Sequence, residues 1–241
     1  MTNKKILITG AAGLVGGYLR RYWGDRYALR LTDIQPVEDL AAHEEFIAMD
    51  ITQYDDFLAA CEGMDTVVHL AADRSPSAEF YKTLLDLNII GCYNGFQAAK
   101  AAGCRRIVFA SSVNAILGYR HQQQTFPDSP IYPLNVYGAT KCFGEALARV
   151  YAHQHGLSSI CVRLSSPSFD QSGDWNPDAL CDTISPRDTA QLFGCCIEAE
   201  EVEFAIAHGS SRHKNGWMDL AETSRALGYE PEDGTAFPKK S

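Results

Sequence analysis

Short runs of β-branched and other apolar residues alternate along this chain with longer segments rich in Ala, Leu, Gln and Lys. The short runs read as strands at Lys5–Thr9, Ala28–Asp33, Glu45–Met49, Thr66–Leu70, Arg106–Ser111, Ser159–Leu164 and Glu203–Ala207. The longer segments read as helices at Leu14–Trp23, Tyr54–Cys61, Leu84–Ala102 and Tyr137–His155. Strands of four to eight residues alternating with longer helices predict βαβ units around a parallel sheet. Breakers fall where such units need them, at Gly24-Asp25, Gly63, Gly103 and Gly156. Ser165–Asp188 carries Pro167, Gly173, Pro177 and Pro186 with little periodicity and is expected to be loop, followed by one helix, one strand and a polar tail. The expected architecture is a single α/β domain over 1–241. A doubly wound parallel sheet fills 1–165, and a short cap with one more strand, 166–241, lies over the carboxyl ends of the strands, where open sheets place their ligands.

Composition narrows the partners. With 241 residues, 46% hydrophobic and 21% charged, the chain is ordinary globular protein, neither disordered nor a coiled coil. A net charge of −9 offers no basic surplus for nucleic acid or an anionic membrane, and no apolar stretch approaches the roughly 20 residues that span a bilayer. Lys4-Lys5 before Ile6-Leu7-Ile8 mimics a signal peptide, but the run is short and the glycines after it suit a turn, so export is rejected. The eight cysteines include no Cys-x-x-Cys pair and no His/Cys group at zinc spacing. No metal site is expected, and a reduced, cytoplasmic chain is the simpler reading. Cys92, Cys104, Cys142 and Cys161 read as small core residues.

The chemistry begins at Gly10-Ala11-Ala12-Gly13-Leu14-Val15-Gly16, between the first strand and the first helix. Glycines let the backbone approach a pyrophosphate, the helix N-terminus supplies unpaired N–H groups, and Gly16 lets the helix lie close to the strand. Asp33 ends the second strand, 23 residues beyond Gly10. A carboxylate there accepts from ribose hydroxyls and repels a 2′-phosphate, and Ile34-Gln35 offers no cation for one, so the cofactor is expected to be NAD rather than NADP. Farther on, Tyr137 and Lys141 stand at i and i+4 on one helix face, where an ammonium favours the phenolate form of a tyrosine. Ser111-Ser112 ends the fifth strand at the same edge of the sheet.

With these motifs the sequence resembles the short-chain dehydrogenase/reductase superfamily, in its extended NAD-dependent epimerase/dehydratase branch. The resemblance runs through the glycine turn, Asp33, Asp50-Ile51, His69-Leu70-Ala71-Ala72, Asn88-Ile89-Ile90-Gly91, Ser111-Ser112 and Tyr137 to Lys141. Ile107 through Ser112, Tyr137 through Glu145 and Gly216-Trp217 carry a further likeness to uronate dehydrogenases and archaeal NAD-dependent glucose-6-phosphate dehydrogenases. The resemblance implies a Rossmann-like fold, NAD as cofactor and a sugar-like small-molecule substrate. Tyr137 would be the general base, Lys141 would favour its phenolate and hold the nicotinamide ribose, and Ser112 would hydrogen-bond the reacting oxygen, with Ser111 as its fallback. Gly10, Gly13, Leu14, Val15, Gly16, Asp33, Asp50, Ile51, Leu70, Ala71, Ala72 and Asn88 would bind or support the cofactor. Arg74, Ser75, Ser111, Val113, Asn114, Ser165 and Ser166 would face the substrate. A homodimer through the helices near 84–102 and 137–155 is also implied, although Cys92, Phe96, Phe143 and Leu147 there would serve the protein's own core equally well.

The sequence departs from the uronate group in one informative way. Those enzymes present an arginine to the substrate carboxylate in the loop after the sixth strand, whereas Ser166–Ser185 contains neither Arg nor Lys. Arg74 and Arg187 are the candidate replacements. The leading expectation is a dehydrogenase acting on a hydroxyl, the anomeric one included, of a small sugar, sugar acid or sugar phosphate. An NAD-dependent sugar epimerase or dehydratase is the alternative enzyme, disfavoured by the short C-terminal segment and by Val113-Asn114 where dehydratases carry Asp-Glu. A non-catalytic NAD-sensing regulator is the alternative of another class. His69 reads as a packed strand-end residue. His153 and His155 face different ways on their helix. Arg212-His213-Lys214 reads as a solvated loop or a phosphate contact, and Trp217 either closes the pocket or anchors the tail.

Overall fold

A computed structural model describes residues 4–120, 122–167 and 183–234. Seven strands pair into one wholly parallel sheet, β1 (Lys5–Thr9), β2 (Ala28–Asp33), β3 (Glu44–Ala48), β4 (Thr66–His69), β5 (Arg106–Ser112), β6 (Ser158–Leu164) and β9 (Phe204–Gly209), in the order β3-β2-β1-β4-β5-β6-β9. The chain reverses direction across the sheet between β1 and β4, the place where doubly wound folds open a crevice. The other elements are α1 (Leu14–Trp23), α2 (Tyr54–Cys61), α3 (Gly91–Ala101), α4 (Val136–His155), the short parallel pair β7 (Ser166–Pro167) and β8 (Thr183–Ile184), α5 (Pro186–Glu198) and α6 (Ala221–Leu227). Among the described residues no helix is long and apolar enough to cross a membrane.

The two faces of the sheet follow from the strand period of two. Ile6, Ile8, Val68, Val108, Ile160 and Val162 point into one core with Leu19 and Trp23 of α1 and Leu192, Phe193 and Ile197 of α5. Their neighbours Leu7, Val67, Ile107, Phe109 and Cys161 point into the other, with Phe57 of α2, Phe96 and Ala99 of α3 and Tyr151 of α4. Both faces are covered, which is why the central strands read as continuous apolar runs. Cys92, Cys104, Cys142 and Cys161 are buried with them.

Several boundaries differ from the sequence reading. β3 begins one residue earlier, β5 runs on to Ser112, and β9 is displaced to Phe204–Gly209. The helix expected over Leu84–Ala102 is a π-helical stretch, Phe80–Ile90, continuing into α3. Within the segment expected to be loop, 168–182 lies outside the described residues, but β8 and the start of α5 fall inside it. Pro186 is the first residue of α5 rather than part of a loop: its fixed φ and missing N–H suit that position, and the Ser185 hydroxyl accepts from the Asp188 N–H as the cap. The expected polar tail contains α6, closed by Gly228 at φ 71°. Cys92 and Phe96 point into the core, and the large apolar residues left exposed on the two long helical segments are Tyr81, Ile90, Tyr93, Val136 and Val150.

Buried polar groups tie the elements together. Arg163 on β6 donates two hydrogen bonds of 2.9 Å to the Glu145 carboxylate on α4, and both side chains are almost wholly buried. Ser111 donates to the same carboxylate at 2.6 Å. His69 sits between Phe57 and Phe109 with its Nδ1 2.8 Å from Thr9 Oγ1, and His208 donates from Nδ1 to the Asp219 carbonyl. His69 is thus the packed strand-end residue that the sequence predicts.

Removing one partner of a buried ion pair strands the other charge. Arg163→Leu is therefore expected to cost about 3–5 kcal/mol in denaturant unfolding. The buried imidazoles set the acid response. Burial, helped by the Lys141 and Arg163 charges respectively, pulls His69 and His208 from the usual 6.5 down to about 3. In the unfolded chain both take up protons near pH 6.5 while the native protein refuses them, so stability falls as pH drops from 6.5 toward 3. Asp188, pushed up to about 6 chiefly by burial, has the opposite sign between pH 6 and its ordinary 3.8. Its window is shorter and it is one group against two, so the histidines win. The urea midpoint is expected to fall steadily from pH 7 to 4.5, with a shallower slope in His208→Asn.

Candidate active site

The crevice between β1 and β4 opens into a cleft of about 830 Å³ along the carboxyl edge of the sheet. Its floor is the turn after β1. Gly10 has φ 72°, and a Cβ there would lie 2.8 Å from the Ala71 nitrogen, so the turn needs glycine for conformation and for space. A Cβ at Gly16 would lie 2.5 Å from the Ala11 carbonyl oxygen, which is what lets α1 start directly beneath the cleft. No side chain caps that N-terminus, and its first turn carries no acid. Its outward N–H groups and positive dipole end are available to an anion. Asp33 is already oriented, one carboxylate oxygen accepting from the Ala12 N–H and the other from the Gln35 N–H, both at 3.0 Å. These features fit a dinucleotide: an uncapped helix end and close backbone for the pyrophosphate, and a braced carboxylate for the ribose hydroxyls. Asp50, held by the Thr52 N–H, and Ile51 extend this wall, and Leu70, Ala71 and Ala72 form the opposite one.

At the other end of the cleft stand Ser112, Tyr137 and Lys141. Lys141 is buried; its Nζ donates to the Ala110 carbonyl at 2.9 Å and lies 5.7 Å from the centre of the Tyr137 ring. That is the phenol–ammonium pairing expected from their spacing on one helix. The two serines divide their roles. Ser111 gives its hydroxyl proton to Glu145, whereas Ser112 accepts from the backbone N–H and the side-chain amide of Asn114, each at 3.2 Å. The chemistry available here is proton transfer at the phenol beside a fixed cation and a hydroxyl donor.

Most of the predicted residues meet in this one cleft: Gly10, Gly13, Leu14, Val15, Asp33, Asp50, Ile51, Leu70, Ala71 and Ala72 at one end, and Arg74, Ser75, Ser111, Ser112, Val113, Asn114, Tyr137, Lys141, Ser165 and Ser166 at the other. Gly16 and Asn88 do not line it. Gly16 works through packing, and Asn88 lies behind the wall, where its side chain brackets the backbone N–H and carbonyl of Asp73 and donates to Thr140. Of the two candidate cations, Arg187 is excluded, since it pairs with Asp233 and Glu232 beside α5. Arg74 is exposed at the rim, on a turn braced by the Asp73 carboxylate against Ser75 and Thr83. Trp217 is buried against Val113, Ile116 and Met218, and its backbone carbonyl accepts from Thr125, so it anchors the tail rather than lining the cleft. His213 is committed to Thr183 and Arg212 to Glu230. The sequence reading missed Thr32, Ile34, Met49, Asp73, Pro76, Ala110 and Leu164, each of which flanks a chosen residue. It also missed Leu87, which precedes the chosen Asn88.

Residues 6–168 match the model of the NAD dependent epimerase/dehydratase family. The chain is 34% identical to the uronate dehydrogenase of Pseudomonas putida over 96% of its own length and 85% of that protein. It is 31% identical to the NAD-dependent glucose-6-phosphate dehydrogenase of Haloferax volcanii, over 97% and 95% of the two chains. A crystal structure of the uronate dehydrogenase from Agrobacterium tumefaciens, in a mutant complexed with NAD, superimposes with a TM-score of 0.87 at 32% identity, covering 97% of this chain and 86% of that one. A glycine turn beneath an uncapped helix, a braced acid after β2 and a Tyr/Lys pair on α4 thus occur together in a chain that belongs to the NAD-dependent epimerase/dehydratase family.

Proposed function

We propose that the protein is an NAD-dependent dehydrogenase that oxidises a hydroxyl, the anomeric one included, of a small sugar, sugar acid or sugar phosphate. The observation that carries this reading is the convergence of Tyr137, Ser112 and Lys141 on the same cleft as the glycine turn and Asp33. Bound NAD supplies the chemistry that side chains lack, acceptance of hydride. Tyr137 takes the proton of the substrate hydroxyl, and Lys141, fixed by the Ala110 carbonyl, keeps a positive charge beside the phenol and meets the nicotinamide ribose. Ser112 donates to the reacting oxygen; Ser111 is spent on Glu145 and does not take this part. Leu14, Val15, Asp33, Asp50 and Ile51 hold the adenosine half, and Leu70, Ala71 and Ala72 the path to the nicotinamide. Ser75, Val113, Asn114, Ser165 and Ser166 surround the sugar.

Arg74 receives an anionic substituent of the substrate. Among the described charged residues lining the cleft it is the cation not used within the fold, since Lys141 is bonded to Ala110 and the acids are Asp33, Asp50 and Asp73. The protein works in a reducing, cytoplasmic setting. It pairs with a second copy through the face carrying Ile90, Tyr93 and Val150.

Reduced-nicotinamide absorbance with NAD and a panel of uronic acids, hexose phosphates and neutral aldoses tests the reading. Tyr137→Phe is expected to lower turnover at least about a hundredfold, with NAD affinity nearly unchanged; retained turnover would remove the tyrosine from its role. Arg74→Ala is expected to lower the ratio of kcat/KM for anionic over neutral sugars about tenfold, the loss of one charge-assisted contact. An unchanged ratio would mean that no substrate anion meets Arg74.

A further inference from the structure

A continuous chain of hydrogen bonds runs from the start of α4 to Ser112, and its direction is set by the backbone. The Gly138 N–H donates to Asn135 Oδ1 at 2.7 Å as the cap of α4. A backbone N–H can only donate, so Asn135 must present its oxygen there and its amide nitrogen on the other side. That nitrogen donates to Asn114 Oδ1 at 2.8 Å. Asn114 in turn has its oxygen committed and presents its amide nitrogen to Ser112 Oγ at 3.2 Å, with its own backbone N–H donating to the same oxygen. Both lone pairs of the Ser112 hydroxyl are then occupied, and among the described residues no acceptor takes its proton.

We propose that Asn135 and Asn114 are positioning residues that orient Ser112 as an obligate donor, its proton directed into the cleft at the reacting oxygen. The inference rests on the dehydrogenase reading and adds the device that gives Ser112 its polarity. A serine alone can donate or accept, and most of its hydroxyl rotamers would offer the substrate a lone pair; here the cap of the helix that carries Tyr137 decides which. The same contact sets the spacing of the two groups. A Cβ at Gly138 would lie 2.4 Å from the Asn114 carbonyl oxygen, so α4 and the turn after β5 meet at backbone distance.

Asn135→Asp separates this role from a structural one. A carboxylate caps a helix as well as an amide does, so the melting temperature is expected to hold or rise. Facing a carboxylate, the Asn114 amide turns over, presents its oxygen to Ser112 and draws the serine proton out of the cleft. With a saturating sugar substrate kcat is expected to fall about a hundredfold across the pH range, as when a donor to a reacting oxygen is lost, while NAD affinity measured by calorimetry stays within about twofold. Asn135→Ser keeps the cap without reversing the chain and is expected to lose less than tenfold. Equal losses in the two variants, or a full kcat in Asn135→Asp, would overturn the relay. So would a loss recovered at high pH, which would mark a charge effect on Tyr137. Neutron diffraction of the wild-type protein tests the relay without any substrate: deuterium on Ser112 pointing into the cleft supports it, and the Ser112 deuterium directed at Asn114 Oδ1, with the Asn114 amide turned over, refutes it. A wild-type protein that turns over no sugar would defeat the dehydrogenase reading by itself, and the neutron result would still decide the relay.

Discussion

The seating of α4 against the ends of β5 and β6 is the constraint on which the site depends. One helix carries the phenol and the ammonium, and its position is defined at several points along its length. Gly138 touches the turn after β5, Lys141 bonds to Ala110, and Glu145 closes on Arg163 and Ser111. The last of these is a buried bidentate ion pair with a third donor. Such a pair adds little net stability over apolar packing but is costly to misalign, because any displacement leaves a charge without its partner in a medium of low dielectric. It therefore acts on register more than on affinity, fixing where Tyr137 stands relative to the strand ends.

The second requirement is the wholly parallel sheet, covered on both faces. With the strands buried, the open backbone groups collect at the strand ends and helix starts, and the cleft occupies the carboxyl edge where the connections part between β1 and β4. Gly10 and Gly16 permit the backbone contacts that bring α1 to this point, and Asn88 and Asp73 hold the rim that carries Arg74. The chemistry is thus assembled from parts distant in sequence, each brought to this edge by the segment that follows a buried strand.

Much of this was legible in the residue pattern. The strands and the long helix carrying Tyr137 and Lys141 were marked by apolar runs and by a 3.6-residue period, because both faces of the sheet and the inner face of α4 are buried. The glycine turn, Asp33 and the Tyr/Lys pair were readable because each role depends on local geometry: a positive φ, a strand end, a spacing of four on a helix. Where the reading failed, a local cue had two meanings. Pro186 suits a loop as well as the first position of a helix and here opens α5, and the seven residues of α6 are too few for a periodic signal. Cys92 and Phe96 could face a partner or the core, and only packing assigns them to the core.

What the sequence by itself determined was the fold class, the cofactor type and the candidate Tyr/Lys pair, since these follow from spacings within single turns, strands and helices. The tertiary structure decided matters of direction and partnership. It removed Arg187 by pairing it with Asp233 and Glu232, and left Arg74 at the rim. It separated Ser111 from Ser112 by giving one proton to Glu145, a residue 34 positions away. It joined Asn135 to Asn114 across 21 positions, although neither residue's type foretells the other. Hydrogen bonds between side chains depend on which atoms face each other across elements, and no period in the sequence records that.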